Sequence, residues 1–285
     1  MKIKKVVIPV AGMGTRFLPV TKSIPKEMLP IVNKPTIQLL LEEAKEAGIE
    51  EVLFITNSRK ESVLNHFKSD KELEEFLEKN SKLDELEELK NICNLFNIKS
   101  VIQPNPLGSG DAIYQAKEFI GNDPFAVMYG DDLIKGGCAL KDLIEVYEKY
   151  DSNVIGVQAV PYDLTYKYGI ISLKNKETLQ IQELVEKPRK EEAPSNLAGL
   201  GRYIFKPEIF EELEKIKPHE NGEYQLTDAI TSLMKKQAFY AANFKGTYYD
   251  IGSKIGYLKA NIAYAMDTDM KDELKEFLNN IIKEI

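Results

Sequence analysis

Two short apolar runs with a helical stripe between them set the tightest limit on what this chain can fold into. Val6-Val7-Ile8-Pro9-Val10 shows no polar face to solvent, so it reads as a strand covered on both sides, the usual state inside a parallel sheet. Pro35 to Ala47 carries Ile37, Leu40, Leu41 and Ala44 at helical spacing and ends at Gly48, the residue type that caps helix C-termini. Val52 to Thr56 repeats the strand pattern. Strand, helix, strand predicts a parallel pair, because parallel neighbours need a long crossover to return to the same end of the sheet. The expected class is α/β, a Rossmann-like mixed and mainly parallel sheet flanked by helices.

Directly after the first strand comes a glycine-rich turn. Ala11, Gly12 and Gly14 have little or no side chain, so a ligand can approach the backbone N–H groups, which form a small anion-binding concavity. Arg16, Lys22 and Lys26 follow in a stretch broken by Pro19 and Pro25, which excludes one regular helix. Small residues beside fixed cations suggest a polyphosphate site, and the glycines alone leave an ordinary tight turn with surface lysines open. A dinucleotide fingerprint fails because Phe17 stands where its third glycine belongs, and a P-loop fails at Phe17-Leu18-Pro19.

Charge narrows the partners. With 38 basic and 45 acidic residues the net charge is −7, which argues against a nucleic-acid groove or an anionic membrane surface. A polyanionic substrate must then be held by a few local cations. No window is long and apolar enough to span a membrane, and Met1-Lys2-Ile3-Lys4-Lys5 leads straight into a strand, so a cytoplasmic enzyme is expected. Cys93 and Cys138 lie far apart without metal spacing and predict reduced thiols, while His66 and His219 are equally isolated.

Further along, Lys68 to Phe96 has Leu73, Phe76, Leu77, Leu83, Leu86 and Leu89 at helical spacing, which predicts one or two amphipathic helices on the sheet edge. Val101-Ile102-Gln103 is a third strand, and Leu107-Gly108-Ser109-Gly110 opens a helix running to about Phe119. Phe125 to Tyr129 predicts a buried strand ending in Asp131 and Asp132. Two acids at a strand's carboxyl end make a hard-oxygen site suited to Mg²⁺, and a helix-capping turn is the alternative. In Leu184-Val185-Glu186-Lys187-Pro188, adjacent residues would face opposite ways unless the chain turns, and Pro188 makes a turn reasonable.

The spelling Gly12-x-Gly14-Thr15-Arg16 with Pro25-Lys26-Glu27-Met28-Leu29-Pro30 resembles the signature of the sugar-nucleotide pyrophosphorylases, or nucleotidyltransferases, and within them the bacterial UTP:glucose-1-phosphate uridylyltransferases. The resemblance extends over nearly all of the chain, including the helical insert, Lys167-Tyr168-Gly169-Ile170-Ile171, Gly201-Arg202-Tyr203-Ile204-Phe205, Glu223-Tyr224-Gln225-Leu226-Thr227-Asp228-Ala229 and Tyr249-Asp250-Ile251-Gly252. It implies a nucleotide-diphospho-sugar transferase fold and transfer of the uridylyl group of UTP to glucose 1-phosphate, giving UDP-glucose and pyrophosphate. The alternative is a sister enzyme using dTTP, ATP or CTP.

Carried over residue by residue, the resemblance places Arg16 on the leaving β- and γ-phosphates, Lys26 on the α-phosphate and Lys187 on the sugar phosphate. It makes Asp131 and Asp250 the Mg²⁺ ligands, with Asp132 beside them. Ala11, Gly12, Glu27, Gln103 and Gly108 frame uridine, the glutamine bonding the pyrimidine edge and the glycine letting the base lie flat. An amide offers both donor and acceptor to a uracil edge. Glu186 and the backbone at Gly169 hold the hexose. Relatives often have a histidine where this chain has Asp111, a departure that bears on base selectivity. Asp228 is expected only to brace its helix. The chain is expected to be one domain over 1–285, with a nucleotide half (about 1–150), a sugar half (about 151–250) and C-terminal helices (about 251–285). A homodimer or homotetramer is expected, with Tyr257, Leu258, Ile262 and Tyr264 available for subunit contact.

Overall fold

The computed structural model describes residues 2–284, so the predicted end of the last helix at Ile285 lies outside the described residues. The first strand, β1 (Lys5–Pro9), leads through the glycine turn and three single-turn helical segments, Thr15–Phe17, Val20–Lys22 and Lys26–Met28, into α1 (Thr36–Glu46). Pro19 and Pro25 break this stretch as expected. Then come β2 (Glu51–Thr56), α2 (Glu61–Asn65), α3 (Lys71–Lys79), α4 (Leu83–Cys93), β3 (Ile98–Ile102), α5 (Ser109–Tyr114) and α6 (Lys117–Ile120). The helix expected to run unbroken to Phe119 is therefore two short ones, parted at Gln115 and Ala116.

The chain continues through β4 (Phe125–Met128), β5 (Asp132–Lys135), α7 (Ala139–Tyr150), β6 (Asn153–Ala159), β7 (Gly169–Asn175), β8 (Gln180–Glu186) and β9 (Leu197–Phe205). A short helix, α8 (Ile209–Leu213), precedes α9 (Leu226–Met234), β10 (Phe239–Asn243), β11 (Thr247–Asp250), α10 (Lys254–Ala265) and α11 (Lys271–Glu284).

Nine strands form one sheet in the order β3-β2-β1-β4-β9-β6-β10-β8-β7. β3, β2, β1 and β4 run parallel, so their carboxyl ends line one edge. β9 is antiparallel to both β4 and β6 and joins the two halves of the sheet without a gap. It also pairs with β7 at Leu197 and Ala198, which curls the far end back over the middle. β5 and β11 form a separate two-stranded ribbon in which Asp250 stands opposite Asp132.

Burial follows the two-residue period of the strands. Val6 and Ile8 face α1 and α7 through Ile37, Leu40, Leu41, Leu140 and Leu143, whereas Val7, Phe125 and Val127 face α5 and α9 through Ile113, Leu226 and Ile230. The charged insert folds as two helices, α3 and α4, of which only Leu77 and Leu86 are buried. Leu73, Phe76 and Leu83, expected in the same apolar stripe, stay exposed.

Candidate active site

All four parallel strands end, at the same edge, in a segment of the candidate site. β1 ends in the glycine turn, β2 in Asn57, β3 in Gln103 and β4 in Gly130-Asp131. Neighbouring strands tie these ends together. Val10 N–H donates to Ile55 O at 2.8 Å, Gln103 N–H to Thr56 O at 2.8 Å, and Asn57 Nδ2 to Ala11 O at 2.6 Å. Gly14 adopts φ 67°, the left-handed region that glycine enters without strain, and its carbonyl accepts from Thr21 Oγ1 at 2.7 Å.

Lys26 lies across this turn, its Cε 3.8 Å from where a Cβ on Gly12 would sit, and its Nζ donates to Asp131 Oδ2 at 2.7 Å. Burial opposes charge on Lys26, but the Asp131 and Glu27 carboxylates outweigh it and hold the ammonium above its ordinary range. Asp131 is the mirror case. Burial would raise its pKa, yet Lys26 and then Arg16 pull it below the usual carboxylate range. Asp132, buried beside the ionised Asp131, is pushed up to about 7 despite a 2.6 Å hydrogen bond from Tyr248 to its Oδ1.

Asp131, Asp250 and Arg16, 234 residues apart at the extremes, converge over one glycine. A Cβ built on Gly252 would lie 2.6 Å from Asp131 Oδ2, 3.1 Å from Asp250 Oδ1 and 3.2 Å from Arg16 Nη1. The backbone fixes this meeting through Ile251 N–H to Asp131 O at 3.0 Å, and Arg16 Nη1 donates to Gly252 O at 3.0 Å. No cluster of three or more His, Cys, Asp or Glu side chains suited to a metal occurs among the described residues. Two carboxylates without a third protein ligand suit Mg²⁺, which keeps waters and substrate phosphates in its shell, better than a four-ligand metal such as zinc.

On the far side of these acids opens a cleft of about 450 Å³, lined among others by Tyr129, Tyr168, Gly169, Glu186, Lys187 and Thr227. Gly169 stands opposite Glu186 in the β7–β8 register. Lys187 adopts φ 45°, a left-handed backbone that is strained for a side chain of this kind, and its N–H donates to Tyr168 O at 3.0 Å. That residue supplies the turn expected at Pro188, one position earlier, so Glu186 and Lys187 both line the cleft with Nζ 3.2 Å from Glu186 Oε1.

Of the residues singled out from sequence, the structure gathers Arg16, Asp131, Asp132, Gly169, Glu186, Lys187 and Asp250 around this cleft. Ala11, Gly12, Lys26, Glu27, Gln103 and Gly108 lie along the strand ends beside it. Two of these differ from expectation. Gln103 does not offer donor and acceptor alike, because its amide nitrogen is already donating to Asp111 Oδ2 at 2.6 Å and Gly108 O at 3.3 Å. Gly108, at φ 98°, has no room for a Cβ chiefly because of the protein itself, which would place Tyr224 O at 2.7 Å. Among the described residues the Asp228 carboxylate pairs with His219 alone, at 2.7 Å.

Several residues were not foreseen. Lys60 is 4% exposed and donates to the wholly buried Glu27 Oε2 at 2.6 Å. Arg202, 0% exposed, clamps Glu43 through Nε at 3.1 Å and Nη2 at 2.7 Å while Nη2 also holds Asp132 O at 2.9 Å. A Cβ on Gly201, at φ 58°, would fall 1.9 Å from Asp132 Oδ2. The Gly201-Arg202 dipeptide was visible as a motif, but its contact with the acidic pair depends on long-range pairing.

Comparison with known proteins points one way. Residues 5–267 match the nucleotidyl transferase family. The chain is 48% identical over 284 residues to a UTP–glucose-1-phosphate uridylyltransferase of Staphylococcus epidermidis, covering 98% of this chain and 99% of that one. A UTP-bound UDP-glucose pyrophosphorylase from Acinetobacter baumannii superposes with a TM-score of 0.89 at 41% identity, covering 97% and 98% of the two chains. A UDP-glucose pyrophosphorylase complexed with UDP-glucose superposes with a TM-score of 0.85 at 42% identity, covering 93% and 100%.

Proposed function

This chain belongs to the nucleotidyl transferase family, and from that premise we propose that it transfers the uridylyl group of UTP to glucose 1-phosphate, releasing pyrophosphate and forming UDP-glucose. The observation that carries the reading is the meeting of Asp131, Asp250 and Arg16 over Gly252, between the first glycine turn and the Glu186–Lys187 cleft. Two anions can be forced together only where fixed positive charge and a shared hard-oxygen site lie between them.

A sugar phosphate is already a dianion near neutral pH, since its second pKa is about 6. No general base is needed. A phosphate oxygen of glucose 1-phosphate forms a bond to the α-phosphorus of UTP while the bond to the β-phosphate bridging oxygen breaks, so catalysis is positioning plus charge stabilisation. In this reading Lys187 grips the sugar phosphate, Lys26 holds the α-phosphate and Arg16 takes up charge on the departing pyrophosphate. Glu186 and the Gly169 backbone hold the hexose hydroxyls. Ala11, Gly12, Gly14, Glu27, Gln103 and Gly108 frame the uridine. Asp131 and Asp250 would hold Mg²⁺, with Asp132 beside them, and the ion when bound supplies charge neutralisation between the phosphates.

The continuous sheet supports treating 1–285 as one domain with nucleotide and sugar halves. A cytoplasmic setting is part of the proposal; no helix among the described residues is long and apolar enough to cross a membrane. Ile255, Leu258 and Ile262 on α10 and Phe277 and Ile282 on α11 are exposed, and we place a homodimer or homotetramer contact there. The Tyr257 hydroxyl donates to Pro30 O at 2.7 Å within the chain.

The test is product formation. The protein with UTP, radiolabelled glucose 1-phosphate and Mg²⁺ is expected to release pyrophosphate and UDP-glucose in equal amounts. A panel with dTTP, ATP and CTP ranks the nucleotides, and preference for one of these over UTP would overturn the uridylyl assignment.

A further inference from the structure

Gln103 is 5% exposed, and every neighbour of its amide nitrogen can only accept. Asp111 Oδ2 lies 2.6 Å away and Gly108 O 3.3 Å away. A carboxylate and a peptide carbonyl have no proton to offer, so the end of the amide that faces them must be the NH₂ group. The reverse orientation would press two oxygens together at 2.6 Å, against a full negative charge. Both amide protons are thus engaged within the protein, and the amide oxygen points away from them. Among the described residues the only fully buried side-chain polar atoms without a partner are Glu27 Oε1 and Glu208 Oε2, so Gln103 Oε1, which accepts no hydrogen bond from another described residue, keeps contact with solvent.

Asp111 is held in place from its other side, where Oδ1 accepts from Gln115 Nε2 at 3.3 Å. Its backbone is fixed too, because α5 is stitched to the start of α9 by Gly110 N–H to Tyr224 O at 2.8 Å and Leu226 N–H to Ser109 Oγ at 3.2 Å. Gln103, Asp111 and Gln115 form a hydrogen-bonded chain in which Asp111 accepts from both amides, and at the Gln103 end the group left over is an acceptor.

We propose that Asp111 is a positioning residue for base specificity: it locks the Gln103 amide with its oxygen toward the nucleobase, so that the site accepts pyrimidines bearing an N3–H and rejects those whose N3 is a lone pair. The proposal rests on the reading that Gln103 meets the base edge. Uracil and thymine both carry N3–H and satisfy the oxygen. Cytosine presents a lone pair there, which leaves two acceptors facing each other and neither bonded, the situation that gives polar sites their strongest discrimination. Asp111 therefore separates UTP from CTP and does nothing to separate UTP from dTTP.

The test is Asp111→Asn, a nearly isosteric change whose amide can donate as well as accept and so frees Gln103 to turn over. kcat/KM is measured for UTP, CTP and dTTP at saturating glucose 1-phosphate, and UTP and CTP affinities are measured by calorimetry without metal. The proposal expects the UTP:CTP ratio to fall by about tenfold or more in both assays, with the UTP:dTTP ratio changed by less than about twofold. A merely structural role would lower all three nucleotides together, and a UTP:CTP ratio within about twofold of the parent would overturn the proposal. Asp111→Ser, which also removes the fixed charge, is read by the same criterion if the asparagine variant does not fold. Should the parent form no UDP-glucose, the uridylyl-transfer reading fails on its own, while the calorimetric ratio still decides the role of Asp111.

Discussion

The two sides of the candidate site are built by different means. On the proposed nucleotide side, the candidate residues stand at the ends of parallel strands that fix each other: Val10 on Ile55 and Gln103 on Thr56 through main chain, Ala11 on the Asn57 side chain. On the proposed sugar side, the candidate residues line the cleft from β7, β8, the β5–β11 ribbon and the start of α9, with Lys187 held in a strained left-handed backbone. On the first side, displacement of one strand end would move several candidate groups together. A site of the second kind is sensitive one residue at a time, and the acids between the two belong to both.

The largest effect is therefore expected where the sides meet. Asp131→Asn removes the carboxylate shared by Lys26 and the acidic pair, and turnover should fall by roughly 10³-fold or more, about 4 kcal/mol at the transition state, with chelation of divalent metal doing the same to the parent. Steady-state kinetics with Mg²⁺ and with EDTA check this, and near-normal turnover would break the comparison at its centre.

Next in size is Arg202→Met. It leaves Glu43 without its buried partner and releases the Asp132 carbonyl, so stability should drop by about 3–5 kcal/mol, read as the denaturant midpoint. The Arg202→Met/Glu43→Met double variant should recover much of that loss. Equal loss in single and double variants would show that the clamp is not what holds the β5–β11 ribbon.

Lys187→Met sharpens the contrast between the sides. The KM for glucose 1-phosphate should rise by about 10- to 100-fold, the equivalent of roughly 1.5–3 kcal/mol, while the KM for UTP moves little. Equal changes in both would mean the sugar side is not separable. Smallest is Phe76→Ser on the insert, where 56% exposure predicts a stability change within about 0.5 kcal/mol and unaltered kinetics.

The same contrast explains what could be read from sequence. The parallel half was legible because each element carries its own signal: a continuous β-branched run, then glycine or acids at the strand's end. Ala11, Gly12 and Asp131 were found that way. The resemblance to known nucleotidyltransferases supplied Gln103, Glu186, Lys187 and Asp250, whose surroundings in the chain are ordinary. Lys60 and Arg202 could not be found, since a lysine after Arg59 and an arginine in an apolar strand look like surface residues until Glu27 and Glu43 arrive from other elements. The orientation of Gln103 was not legible for a similar reason: an amide alone offers both donor and acceptor, and only Asp111 chooses between them.

The most direct test of the central claim is a crystal structure of the protein with UDP-glucose and Mg²⁺. The account predicts the diphosphate beside Gly252, with Lys26 on one phosphate, Lys187 on the other and the ion against Asp131 and Asp250. A diphosphate lying away from Gly252, with either aspartate turned from it, would contradict the account.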